Sequence, residues 1–230
     1  NYREYFADET SRYVIRNTVV FTFATVAGTM GIGLALALIL NLGLRGRDAA
    51  RTVLFAPYVV SGAAVGITWL FIFDPRFGLV AAILGRAGIA SPNWYNDPDW
   101  AMPMVIIVYV WKNLGYATVV YLAGLQTVPR ELYEAARVDG AGRWARFRHV
   151  TVPQLSPMTF FLLITTILSS MQAFDIINVM TDGGPLDATR TMVYHVYDEG
   201  FVRFRVGNAS AIATVLFVIL LAVTLLQVKF

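Results

Sequence analysis

Two small groups of polar side chains interrupt otherwise apolar runs, and these are the places where the sequence could do chemistry. Trp111, Lys112, Asn113 and Tyr116 break the stretch from Ala101 to Val128, and Ser169, Gln172 and Asp175 fall toward the end of the stretch from Gln154 to Met180. Polar groups at membrane depth are costly, so where they occur they mark a solute path or a functional pair. In a helix, Lys112 and Tyr116 would stand one turn apart, and Ser169, Gln172 and Asp175, spaced by three, would share a face. An aromatic face beside hydrogen-bonding side chains suits a polyol or sugar. Lys112 could also attract a phosphate. Equally, Lys112 and Asp175 could form a charge pair, or both could lie near the interface and reach water. Asp175 is the one acid within any apolar run. Catalysis at membrane depth by paired carboxylates or a histidine cluster therefore has no constellation to use.

The elements that must carry these residues follow from composition. Of 230 residues, 57% are hydrophobic and 14% charged, with a mean hydropathy of +0.59; soluble domains carry about 25% charged residues. Five uncharged or nearly uncharged runs reach the roughly 20 residues that cross a bilayer core. They cover 17–44, 52–73, 101–128, 154–180 and 206–228. The fold class expected is an all-α polytopic membrane bundle, forming one domain over 1–230. Residues 1–16, with Tyr2, Tyr5, Phe6 and Tyr13, suit a short interfacial helix. Leu79 to Ile89, inside the long loop 74–100, is too short to span and reads the same way. A second large loop, 181–205, opens on the turn Asp182-Gly183-Gly184-Pro185.

Between the third and fourth runs lies the polar stretch 131–153. Glu131 to Val138 reads as a helix without a breaker. Asp139-Gly140-Ala141-Gly142 can end it through a left-handed glycine. Arg143 to Val150 is a second amphipathic piece, and Pro153 closes the unit. Glu134-Ala135-Ala136, Gly140, and then Val150-Thr151-Val152-Pro153 resemble the EAA coupling loop of ATP-binding-cassette importer permeases, with Val150 and Val152 in place of Ile and Leu. Small Ala135 and Ala136 would let the helix sit close in a partner's groove, where Glu134 can pair with a basic group. Asn93-Trp94, Val110-Trp111-Lys112, Leu122-Ala123-Gly124-Leu125-Gln126, Phe174-Asp175 and Met180-Thr181-Asp182-Gly183-Gly184-Pro185 extend the likeness. They are similar to the carbohydrate-uptake branch, nearest the glycerol-3-phosphate or glycerophosphodiester permeases.

That resemblance implies a prokaryotic cytoplasmic-membrane subunit that moves a sugar or glycerol-phosphate solute inward. It implies a second related permease, two ATPase subunits and an external solute-binding protein as partners. Glu134, Ala135, Ala136, Asp139, Gly140 and Pro153 would couple to the ATPase. In maltose-type permeases the stretches matching Trp111, Tyr116, Gln172 and Asp175 line the sugar site. Lys112 does not select the substrate, since similar sugar permeases also carry Trp-Lys there. No cofactor is expected in this chain: it lacks a Gly-x-x-x-x-Gly-Lys-Ser/Thr loop to cradle phosphates, so ATP would be held by partners. With no cysteine there is no thiolate metal site. His149 and His195 read as solvated loop residues rather than ligands. A net charge of +3 with scattered basic residues gives no nucleic-acid footprint. The rival class, an ion-coupled secondary transporter, would often show an internal repeat, and none is evident.

Orientation comes from arginine. The short loops carry Arg45, Arg47 and Arg51, and Arg137, Arg143, Arg146 and Arg148; the longer loops carry Arg76 and Arg86, and Arg190, Arg203 and Arg205. The short loops should thus be cytoplasmic. Opening on Asn1, with an outward N-terminus on five spans, the sequence looks like a six-span protein lacking its first helix. Cysteines placed at Asn96 or Asp187 should react with an impermeant thiol reagent added outside intact cells, and one at Arg143 should not. The opposite labelling pattern would invert this topology.

Overall fold

The computed structural model describes residues 2, 5, 8–42 and 46–229, with side chains through residue 227. Among them every regular element is a helix. The longest, α1 (Glu9–Leu40), starts where the Asp8 carboxylate accepts a hydrogen bond from the Thr10 amide at 3.0 Å. Two of its buried hydroxyls cost little in an apolar setting because Thr18 and Thr25 donate back to the Val14 and Phe21 carbonyls at 2.8 and 2.7 Å. The first span was expected to begin at Asn17 after a separate interfacial helix. Instead residues 9–16 extend the span, because Asp8 caps it and no breaker follows. Residues 1, 3, 4, 6 and 7 of that expected helix, and Gly43, Leu44 and Arg45 at the first loop, lie outside the described residues.

The second span is not one helix. It consists of α2 (Arg47–Val59) and α3 (Gly62–Phe73), turned by 104°. Pro57 has no amide to give the preceding turn, and Val60 takes an extended conformation (φ −72°, ψ 142°). Beyond it, the Asp74 carboxylate accepts from the Arg76 and Phe77 amides at 2.8 and 3.2 Å, and these bonds hold its pKa below the usual carboxylate value. The short helix α4 (Leu79–Arg86) forms where expected.

The third span, α5 (Pro98–Thr127), is capped by Asp97 and has proline at its first position. It runs parallel to α1. Phe21 meets Tyr109 edge-on at 5.1 Å, Gly28 faces Val110, and Gly33 faces Ala117. It is the most buried of the long helices. After α6 (Arg130–Val138) comes α7 (Arg143–Gln154), which widens into a π turn at Phe147–Thr151. Pro153, expected to close this unit, lies in its last turn, one residue before the end at Gln154. The π turn falls just before it, with the Val152 amide reaching back to the Phe147 carbonyl. A 63° bend at Leu155 leads into α8 (Ser156–Met171).

The fourth span, expected to run unbroken over 154–180, stops at Met171 and resumes as α9 (Asp175–Met180). The turn tightens there: the Ala173 amide bonds to Ser170, and the Ser170 hydroxyl takes the Ile167 carbonyl. Then come α10 (Met192–Tyr197), a π turn at Asp198–Val202, and α11 (Val206–Lys229). The crossings alternate, so α6 and α7 sit at one end of the bundle, and loops 74–97 and 181–205 at the other. Three apolar clusters stack along it, centred on Val105, Leu122 and Ile212.

The approach of α2 to α5 depends on Gly115, where an added methyl would run into the Leu54 carbonyl. Gly115→Ala should therefore destabilise the fold at the upper end of the about 1–3 kcal/mol typical of overpacking. Gly31→Ala, with nothing within 4 Å, should be neutral. Melting temperatures of the two purified variants check this.

Candidate functional site

A cleft opens between α1, α2, α5 and α8, lined by Thr29, Tyr58, Tyr109, Asn113, Tyr116, Thr165, Thr166 and Ser169. Its aromatic wall is a stack of Tyr58 on Tyr116, with centroids 5.0 Å apart and planes 13° from parallel. Tyr109, Asn113, the threonines and Ser169 complete the lining, with the Thr165 hydroxyl donating back to the Phe161 carbonyl at 2.9 Å. The Asn113 side-chain amide donates to the Tyr109 carbonyl at 2.8 Å, which fixes its orientation toward the cleft. Such a surface can stack on a carbon skeleton and exchange hydrogen bonds with a polyhydroxylated solute.

The structure divides the residues singled out in the sequence. Asn113, Tyr116 and Ser169 line the cleft. Trp111 packs edge-on against Trp69 at 5.1 Å and stays 40% exposed. Lys112 donates from Nζ to the Tyr58 carbonyl at 3.1 Å, with the ammonium 5.5 Å from the Tyr58 ring centre. Among the described residues no ion pair joins Lys112 to Asp175. Ser169, Gln172 and Asp175 do not share one helix face, because α8 ends at Met171; Gln172 is its cap and Asp175 opens α9. All three are exposed on the surface of this chain. Sequence reading missed Tyr58 and Tyr109. The signal for Tyr58 was its place beside Pro57 near a Ser-Gly pair, which marks a broken span.

At the end carrying α6 and α7, the chain presents a knob. Helix α6 closes with a Schellman turn: Gly140 takes φ +79°, its amide bonds to Arg137, and the Ala141 amide bonds to Ala136 at 2.8 Å. The Tyr133 and Thr151 hydroxyls, 3.0 Å apart, clasp α6 to α7. Glu134, Ala135, Asp139 and Gly140 are exposed and Ala136 is half-buried. Val138 and Trp144 are left 88% and 71% exposed.

The opposite end holds an ion-pair network. Arg190 and Arg203 reach the Asp198 carboxylate at 3.3 and 3.0 Å, and Arg203 and Arg205 reach Glu199 at 3.4 and 3.9 Å. His195, expected to be a solvated loop residue, is buried beneath this network, stacked 6.4 Å from Tyr5. Burial, and then the Arg190 charge, hold its imidazole below the ordinary 6.5. His195, Asp198 and Glu199 could converge on a cation. The arginines already neutralise both carboxylates, however, so the cluster works as a brace. His149 is exposed, its Nδ1 3.0 Å from the Ala145 carbonyl. Loop 181–190 is knotted rather than loose. Thr181 and Thr189 hydroxyls meet at 2.7 Å, the Tyr194 hydroxyl donates to Asp182 at 2.8 Å, and Asn17 donates to the Asp187 carbonyl.

Known proteins share this arrangement. The model of the family described as binding-protein-dependent transport system inner membrane component matches residues 28–229. The chain is 39% identical over 231 residues to the sn-glycerol-3-phosphate transport system permease protein UgpA of Brucella abortus biovar 1 (strain 9-941), covering 100% of this chain and 78% of that protein. It is 38% identical to the protein of the same name from Agrobacterium fabrum (strain C58 / ATCC 33970), with the same coverage. Among solved structures, it superimposes with a TM-score of 0.86 on a chain of a bacterial alginate ABC transporter in complex with an alginate pentasaccharide-bound periplasmic protein. That match is 25% identical and covers 96% of this chain and 78% of the other.

The ion-pair network gives a direct test of which charges hold that end together. Arg190 is 12% exposed at its side chain and Arg205 62%. Arg190→Met should cost about 3 kcal/mol by stripping a buried carboxylate of one partner. Arg205→Met should cost under about 1 kcal/mol. Thermal unfolding of the purified complex compares them.

Proposed function

The chain belongs to the binding-protein-dependent transport system inner membrane component family, and from that premise we propose that it forms the solute path for sn-glycerol 3-phosphate or a close relative. The solute would arrive on an external binding protein, and two ATPase subunits would drive its passage. The observation that carries the reading is the cleft lined by tyrosines, Asn113, threonines and Ser169, in a chain that also leaves Trp111, Gln172 and Asp175 exposed. Polar groups exposed at membrane depth cannot be left against lipid. They therefore face a water-filled path shared with a second permease subunit. The solute's hydroxyls suit the cleft's hydrogen-bonding rim. Its phosphate calls for a donor set that the partner permease can complete.

Coupling runs through the knob. Glu134 and the small Ala135 and Ala136 offer a close-fitting helix to a groove on the ATPase, and Asp139, Gly140 and Pro153 shape its surroundings. The end carrying α6 and α7 would then be cytoplasmic and the knotted loop 181–190 external, where it meets the binding protein.

The test is uptake of sn-glycerol 3-phosphate by the reconstituted complex. Losing a hydrogen bond to the bound solute costs on the order of 1 kcal/mol, roughly fivefold. Gln172→Ala and Tyr116→Phe should each weaken uptake by about that factor while binding-protein-stimulated ATP hydrolysis survives. Glu134→Ala combined with Gly140→Pro should uncouple hydrolysis from uptake at normal subunit stoichiometry. Unchanged uptake in all three would place both the path and the coupling surface elsewhere.

A further inference from the structure

The two charges that neighbouring spans carry at mid-depth do not meet each other. Both are turned to the break in the second span. Helix α2 ends at Val59, where its last carbonyls lack intrahelical partners; the Val60 amide returns only to Pro57, at 3.3 Å. The Tyr58 carbonyl is taken by Lys112 Nζ at 3.1 Å. Helix α3 begins at Gly62, and no side chain caps its first-turn amides by a hydrogen bond. There the Asp175 carboxylate lies against Gly62, so close that any Cβ at this position would collide with it. A cation at a helix's carbonyl end and a carboxylate at its amide end are the placements that the two helix dipoles favour. Lys112 comes from α5 and Asp175 from α9, so two separate elements grip the two sides of one gap.

We propose that Lys112 and Asp175 are positioning residues: they brace the ends of the broken span and thereby hold the Tyr58 ring in its stack on Tyr116. Neither binds the solute. The brace accounts for why opposite charges on adjacent spans stay unpaired, and it gives the Asp175 carboxylate the space that a side chain at residue 62 would take. It rests on the reading of the cleft as the solute path, and it assigns to that path a wall residue, Tyr58, whose place depends on charges behind it.

The test uses the assembled transporter with a single cysteine, Val60→Cys, in the break of this chain, which has none of its own. Reactivity of that cysteine toward a small maleimide is read without solute, and uptake of sn-glycerol 3-phosphate is read separately. Lys112→Met should speed labelling and lower maximal uptake by about fivefold with KM little changed. Lys112→Gln, neutral but still able to donate to the Tyr58 carbonyl, should recover most of both. Asp175→Asn, which keeps a polar group at the amide end, should be milder than Asp175→Leu on both readouts. If Lys112→Gln raises KM as much as Lys112→Met while labelling stays at the native rate in both, Lys112 is a solute ligand and the proposal falls. Should Lys112→Met fail to assemble, the Gln variant decides alone: native-like labelling and KM support the brace, a raised KM at native labelling overturns it. If labelling behaves as expected while Gln172→Ala and Tyr116→Phe leave uptake intact, the brace stands and the cleft reading alone is lost.

Discussion

Close backbone approach to α5 is the constraint on which the rest of the bundle depends. Burial by water-squeezing is weak between helices in lipid, so association relies on packing and on small residues that let backbones meet. Helix α5 meets α1 where Gly28 and Gly33 leave room, and meets α2 where Gly115 lies against the Leu54 carbonyl. The same helix then presents Tyr109, Asn113 and Tyr116 to the cleft. A post held on two sides at glycine contacts has little freedom to rotate, so its polar face is set by its packed face.

Much of this was legible in the residue order. The long apolar runs are where the chain crosses the bundle, and the Glu134–Gly140 segment forms the helix and left-handed glycine exit that its residue types demand. The breaks were not legible. Pro57 and the Ser61-Gly62 pair lie within a run whose hydrophobicity never falters, so hydropathy alone joins α2 to α3. Likewise Ser169, Gln172 and Asp175 keep a helical spacing that the chain abandons at Met171, where the Ala173 amide tightens onto the Ser170 carbonyl. Threonines 29, 165 and 166 gave no sign of lining a cleft, since threonines recur throughout the apolar runs and the Thr165 hydroxyl itself bonds back along its own helix.

The two ends of the bundle are built to opposite plans. At one, charges are consumed internally: Asp198 and Glu199 are buried against arginines, and His195 is buried beside them. At the other, α6 and its cap keep Glu134, Asp139 and the apolar Val138 exposed. The first end satisfies its charges within the chain, and the second leaves them to its surroundings.

The π turn at Phe147–Thr151 has a mechanical meaning. A proline inside a helix ordinarily makes a soft joint, since one rung of the ladder is missing and the turn opens. Here the widened turn takes up the mismatch ahead of Pro153, and α7 continues as one rod to Gln154. Compliance is thereby moved from the proline to Leu155, a buried residue at the 63° corner with α8. The Trp144 end and that corner thus belong to one rod, and the Tyr133–Thr151 contact ties α6 to the same lever.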